Sequence, residues 1–121
     1  KTYILGFRNC SYGPDGRLPQ HVQEFVDRTR GRIDLEDTTL WWVLCGADAI
    51  DLIARAVKET GSTEPAVIIG YWEGVRDYPG LFASYTWSKE NHNGLPQSDL
   101  VMSEANSQRL GAYRLAPGYA G

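Results

Sequence analysis

Residues 39–60, TLWWVLCGADAIDLIARAVKET, carry a helical repeat that dictates what must lie around them. Ile50, Ile53, Ala54 and Val57 fall at i, i+3, i+4 and i+7, while Asp48, Asp51, Arg55, Lys58 and Glu59 fall mostly on the other side, the pattern of an amphipathic helix with one apolar stripe. Burying each large aliphatic side chain of such a stripe is favourable by about 1.5–3 kcal/mol, so the helix is expected to pack against a sheet or another helix. Its ends are also readable: Thr38 or Thr39 can supply an N-cap oxygen, and Gly61 stands where a C′ glycine belongs. Trp41 and Trp42 form an aromatic pair at the mouth of this helix.

Around it the chain predicts a strand over residues 2–7, a turn-rich connection over 9–16, and a surface helix from Leu18 or Pro19 to about Arg30, with Val22, Phe25 and Val26 inward and Gly31 as its stop. Residues 32–37 form an acidic connection. Ser62, Thr63, Glu64 and Pro65 announce another helix, with Val67, Ile68, Tyr71, Trp72 and Val75 as its buried face. Residues 77–80 predict a turn and 81–87 an aromatic, alternating strand. Asn91-His92-Asn93-Gly94 predicts a tight reversal, with Asn-Gly its strongest signal. Residues 99–102 and 111–115 predict short strands, and 117–121 an unpatterned tail. The order of strand, helices and strands fits an α/β arrangement with helices covering a sheet.

At 121 residues and 42% hydrophobic, the chain suits one modest domain with a single core. Its net charge of −3, from 12 basic and 15 acidic residues, offers no basic stripe for nucleic acid, and no apolar run approaches the ~20 residues of a membrane span. The chain opens on strand-like residues without an initiator Met or a leader, so the natural N-terminus is expected upstream. Cys10 and Cys45 suit neither a zinc site nor a disulfide framework. They read as free thiols in or near the core, and a bridge between them would need a Cα separation of ~4.4–6.8 Å.

Gly46-Ala47-Asp48-Ala49-Ile50, then Ala54, Ala56-Val57 and Gly61-Ser62-Thr63-Glu64-Pro65, followed by Tyr78-Pro79-Gly80, Tyr85-Thr86-Trp87-Ser88 and His92-Asn93-Gly94-Leu95, stand in a familiar order. From about Ile4 to Leu115 the chain resembles the C-terminal third of a type I periplasmic solute-binding protein of the branched-chain amino acid class, the extracytoplasmic receptor of an ABC importer. The resemblance implies an α/β chain that is the C-terminal part of a bilobal fold. Residues 1–13 would be a strand and hinge crossing from one lobe, 14–98 part of the other lobe, and 99–121 the last strands and tail. Crossings are expected at residues 11–16 and 96–100. Members of that family are much longer than this chain. Ala47 replaces their usual aromatic, and their ammonium-binding carboxylate would lie upstream of Lys1.

That resemblance also sets the functional expectations. A small carboxylate-bearing ligand, a branched-chain amino acid or an aromatic acid, would bind in the inter-lobe cleft without chemical change and without cofactor or metal. The partner would be a membrane permease and the compartment the periplasm. Trp42 and Trp41 are the expected ligand-side aromatics. Arg8 and Asn9 follow a strand end, where open α/β sheets bind ligands, and Arg8 could form a bidentate pair with a carboxylate. Alone, the chain is expected to bind weakly and to self-associate through uncovered edges and faces. Two alternatives are a ligand-sensing regulator of the same fold and an unrelated small α/β enzyme using His92, with Glu90, Asp99 or Cys45 as partners. A turn histidine without a companion motif more commonly serves structure, and His21 reads as solvated.

Overall fold

Two aliphatic zones, one at each end of the chain, pair as strands, and the periodic segments between them fold as helices. The computed structural model describes residues 1–36 and 38–119. In chain order these form β1 (Tyr3–Phe7), a 3-10 turn (Arg8–Cys10), β2 (Ser11–Tyr12), α1 (Gln20–Thr29), α2 (Leu40–Thr60), α3 (Pro65–Trp72), β3 (Tyr78–Pro79), β4 (Ser84–Tyr85), a second 3-10 turn (Gln97–Asp99), β5 (Leu100–Glu104) and β6 (Tyr113–Arg114). Among the described residues this is a mixed α/β domain of three α-helices and three two-stranded sheets. Asp37, of the acidic segment 32–37, and the last two residues of the tail lie outside the described residues.

β1 and β5 run antiparallel, with Tyr3 opposite Glu104 and Phe7 opposite Leu100. β2 runs parallel to β6, and a bridge from Ser103 to Leu115 links β5 to the end of β6. The first and last strands of the chain therefore form one neighbourhood. Cys10 of the first 3-10 turn, Tyr12 of β2 and Ala112 just before β6 join Val22 and Val26 of α1, Leu40, Leu44 and Leu52 of α2, and Phe82, Ala83 and Tyr85 in one buried cluster.

The limits of α2 match the sequence reading, and Gly61 closes it in the left-handed conformation at φ 67°, where a residue without Cβ is favoured. Its buried stripe does not match. Leu40, Leu44, Asp48, Leu52 and Ala56 face the core, whereas Ile50 is 72% exposed and Ile53 is also exposed. The stripe of Ile50, Ile53, Ala54 and Val57 lies to one side because the inward face includes a carboxylate, which the sequence reading placed with the solvated charges.

Neither Thr38 nor Thr39 caps α2 through its side chain. The first amide, Leu40 N–H, instead donates to Gly111 O at 2.9 Å. This is a close approach. A Cβ on Gly111 would stand 2.6 Å from Leu40 N and meet Thr38 O as well, so only glycine lets the β5–β6 loop reach the helix. Thr39 Oγ1 is buried with no hydrogen-bond partner among the described residues.

Three further expectations shift. α3 begins at Pro65 as read, but of its anticipated face only Ile68 is buried, because α3 touches α2 along a narrow seam that leaves Val67 and Ile69 exposed. The predicted turn at 77–80 contains β3, and the predicted strand over 81–87 shrinks to β4, because side chains hold the segment between them. The reversal expected over residues 91–94 occurs three residues earlier, where Ser88 and Asn91 exchange backbone hydrogen bonds at 3.0 and 3.2 Å.

Candidate functional site

The carboxyl end of β1, the first turn of α2 and the loop before β4 meet at one aromatic face. Phe7 ends β1 and places its ring 5.1 Å from Trp41 and 4.6 Å from Phe82, centroid to centroid. Trp41 and Trp42 lie nearly coplanar in stacking, 4.8 Å apart with planes at 6°, an offset arrangement that aromatic rings favour. Phe82 is buried under the group, whereas Trp42 is 65% exposed. The structure thus joins the expected pair to Phe7 and Phe82, two rings that reach it only through tertiary contact.

Phe82 is placed by Asp48. This carboxylate, buried on the core stripe of α2, accepts the backbone N–H of Leu81 at 2.7 Å, that of Phe82 at 2.8 Å and the Tyr85 hydroxyl at 2.9 Å. A buried carboxylate is tolerated when its lone pairs are satisfied, and here three donors converge on it. Burial chiefly, then the charge of Asp48, pushes the Tyr85 phenol above its usual range, so it stays a donor. The sequence signal was the spacing of Asp48, four residues from both Leu44 and Leu52.

Arg8 and Asn9 follow Phe7 directly. Arg8 Nε donates to Ser98 O at 3.4 Å and an Arg8 terminal nitrogen to Tyr119 O at 3.3 Å. Asn9 Nδ2 donates to Leu81 O at 3.0 Å and stands 3.2 Å from His21 Nε2. Both side chains hold chain segments in place in this state: Arg8 ties the two 3-10 turns together, and Asn9 supports the loop that Asp48 anchors. Of the expected crossings, 96–100 lies at the second 3-10 turn, whereas Ser11 and Tyr12 lie inside β2 and the connection falls to residues 13–19.

Beneath Trp41 a cavity of about 220 Å³ is lined by Phe7, Trp41, Thr39, Ser11, Ser103 and Tyr113 among others. Ser11 and Ser103 share a hydrogen bond at 3.1 Å in its floor. An apolar wall over a few hydroxyls is suited to a small, mostly apolar group carrying one or two polar atoms.

Among the described residues His92 and the cysteines have separate surroundings. Cys10 and Cys45 are free. Burial, then Cys45 and Asp48, pushes the Cys10 thiol up to about 12, and burial raises Cys45 as well, so neither is an activated nucleophile. His92 pairs through Nε2 with Glu73 Oε1 at 3.0 Å, not with Glu90, Asp99 or Cys45. Glu90 bonds Ser88, and Asp99 accepts the Ser84 N–H. Among the described residues no three His, Cys, Asp or Glu side chains could hold a metal ion, and no helix is long and apolar enough to cross a membrane. Comparison with models of protein families, with curated proteins and with solved structures finds no match.

Proposed function

We propose that this chain is the C-terminal part of a type I solute-binding receptor of an ABC importer, one that closes around a small carboxylate-bearing ligand and performs no chemistry on it. The observation that carries this reading is the aromatic face of Phe7, Trp41, Trp42 and Phe82 at the carboxyl end of β1, with Arg8 as the next residue. Ligands of open α/β sheets bind beyond the carboxyl ends of the strands, the place β1 would take in the larger sheet of a complete receptor, and a stacked tryptophan pair left this exposed suits a surface that something else covers. The pairing of β1 with β5 and of β2 with β6 supports it further. It brings β1 and β2 beside β5 and β6, so the two ends of the chain are neighbours. In the receptor the connections at residues 13–19 and 96–100 would be crossings that absorb hinge rotation, and the ligand would favour the closed form by its differential affinity for it.

On this reading the opposing wall of the cleft belongs to the rest of a bilobal receptor, which delivers its ligand from the periplasm to a membrane permease. Branched-chain amino acids and aromatic acids suit an aromatic wall with a guanidinium nearby. The chain alone binds such ligands weakly and self-associates through Leu5, Trp42, Ile50 and Ile53, all exposed.

Thermal unfolding of the complete receptor against a panel of amino acids and aromatic carboxylates tests the proposal. A cognate ligand at 100 times its Kd is expected to add about 2.7 kcal/mol of stability. Trp42→Ala in that protein is expected to weaken binding about tenfold, the order of one ring contact, while leaving the melting temperature of the unliganded form unchanged. No shift with any panel member would sink the reading.

A further inference from the structure

The aromatic face is not the only place where indoles gather. Farther along α2, beside Leu52, a cleft of about 340 Å³ opens between the end of α3 and the loop after β4, lined by Ile69, Trp72, Glu73, Trp87 and His92. Its size falls in the ~300–1,000 Å³ range typical of small-molecule sites.

Both indoles are held from behind. Trp72 Nε1 donates to Leu52 O of α2 at 3.3 Å. Trp87 stacks on Tyr85 at 4.9 Å with planes at 9°, its backbone N–H donates to Val75 O at 3.1 Å, and Gly94 packs against its ring edge. The two rings stand 6.5 Å apart at 35°, forming two walls of a fixed corner.

Glu73, the residue after α3, brings a carboxylate into this corner. Its side chain is only 19% exposed, and its one partner among the described residues is His92 Nε2, on a side chain 62% exposed. Arg76, the neighbouring cation, places one guanidinium nitrogen against the backbone carbonyls of Glu73, Val75 and Trp87, and among the described residues it forms no ion pair with the Glu73 carboxylate. The corner therefore brings two indoles together with a half-buried carboxylate that a single solvent-facing imidazole satisfies on one oxygen.

We infer that this cleft between α3 and the loop after β4, walled by Trp72 and Trp87 with the Glu73 carboxylate inside, is a binding site for a small organic ammonium ion. An indole face attracts a cation through its quadrupole, most strongly where both are desolvated. A quaternary or alkylated ammonium loses little hydration on entering, whereas the carboxylate rejects anions and a neutral molecule of the same shape lacks the electrostatic attraction. The bound cation displaces His92 from Glu73, and His92 moves out into solvent, where most of its surface already lies. This site is separate from the carboxylate-ligand face around Trp41 and does not depend on that reading.

Choline chloride titrated into the 15N-labelled 121-residue chain tests the assignment, with 3,3-dimethyl-1-butanol as its uncharged isostere. The indole N–H resonances, assigned through Trp→Phe variants, are the readout. Expected are saturable shifts at Trp72 and Trp87 with Trp41 and Trp42 still, and binding about tenfold weaker both for the neutral alcohol and for Glu73→Gln. Glu73→Gln preserves shape, and its thermal midpoint is measured alongside. If that variant fails to fold, the choline-to-alcohol comparison on the unaltered chain decides alone. No saturable shift up to about 100 mM, equal binding of choline and the alcohol, or shifts confined to Trp41 and Trp42 would each overturn the site.

Discussion

Replacing Asp48 with alanine is expected to lower the unfolding free energy by about 3–9 kcal/mol, because it strips the acceptor from three donors at once and each buried donor left unpaired costs about 1–3 kcal/mol. Two of the three are backbone amides, at Leu81 and Phe82, which no rotamer change can redirect, and the third is the Tyr85 hydroxyl. Space constrains the site too. A Cβ at Gly80 would stand 2.6 Å from the Tyr85 ring and 2.5 Å from Asp48 Oδ2, so the loop lies directly on the carboxylate. Asp48→Asn keeps one acceptor oxygen and is expected to cost roughly half as much. Equilibrium denaturation resolves the series as a fall in midpoint at nearly constant slope. An alanine variant within about 1 kcal/mol of the native chain would mean that the loop is held by something other than Asp48. The functional consequence runs through Phe82, which sits under Phe7 and Trp41. Loosening its loop removes the floor of the aromatic face.

Local signals in the chain translate into structure with little loss. Gly61 ends α2, Pro65 opens α3, Val22 and Val26 turn inward on α1, and the strands at both ends lie where β-branched and aromatic residues predict them. What failed to translate depends on partners distant in sequence. Residues 81–87 alternate as a strand does, yet the loop at 80–83 is drawn instead onto a carboxylate 33 and 34 residues away. The first amide of α2 looks for a threonine cap and finds the carbonyl of Gly111.

Within the candidate site the same division holds. The tryptophan pair is visible in the sequence because the two residues are adjacent, and Arg8 and Asn9 because they follow a strand. Phe7 and Phe82 are not, since only folding sets them beside the tryptophans, and Asp48 is marked only by its spacing from Leu44 and Leu52. The hydrogen bonds of Arg8 span 90 and 111 residues, so no local pattern could have shown that its side chain ties the two ends of the chain together. Proximity in sequence supplied the candidates, and tertiary contact supplied their surroundings.

The rotation of α2 about its own axis makes the second large prediction, and it opposes what the hydrophobic pattern alone implies. Leu44 is fully buried in the central cluster with Leu40 and Leu52, so Leu44→Ala is expected to cost about 2–5 kcal/mol, the sum of lost transfer energy and the cavity left behind. Ile50→Ala, which removes a side chain of nearly equal size from the same helix, is expected to change stability by no more than about 0.5 kcal/mol because most of that residue already faces water. Helix propensity even favours the alanine slightly. The comparison is sharp because both positions lie well inside one helix and differ only in the direction they face. If Ile50→Ala proved the costlier change, the helix would present the Ile50, Ile53 and Val57 side to the core, Asp48 would turn to solvent, and its hold on the Phe82 loop would be lost. If Leu44→Ala is costlier, the uncovered aliphatics Ile50 and Ile53 form a surface set apart from the core, available for self-association while contributing little to the fold.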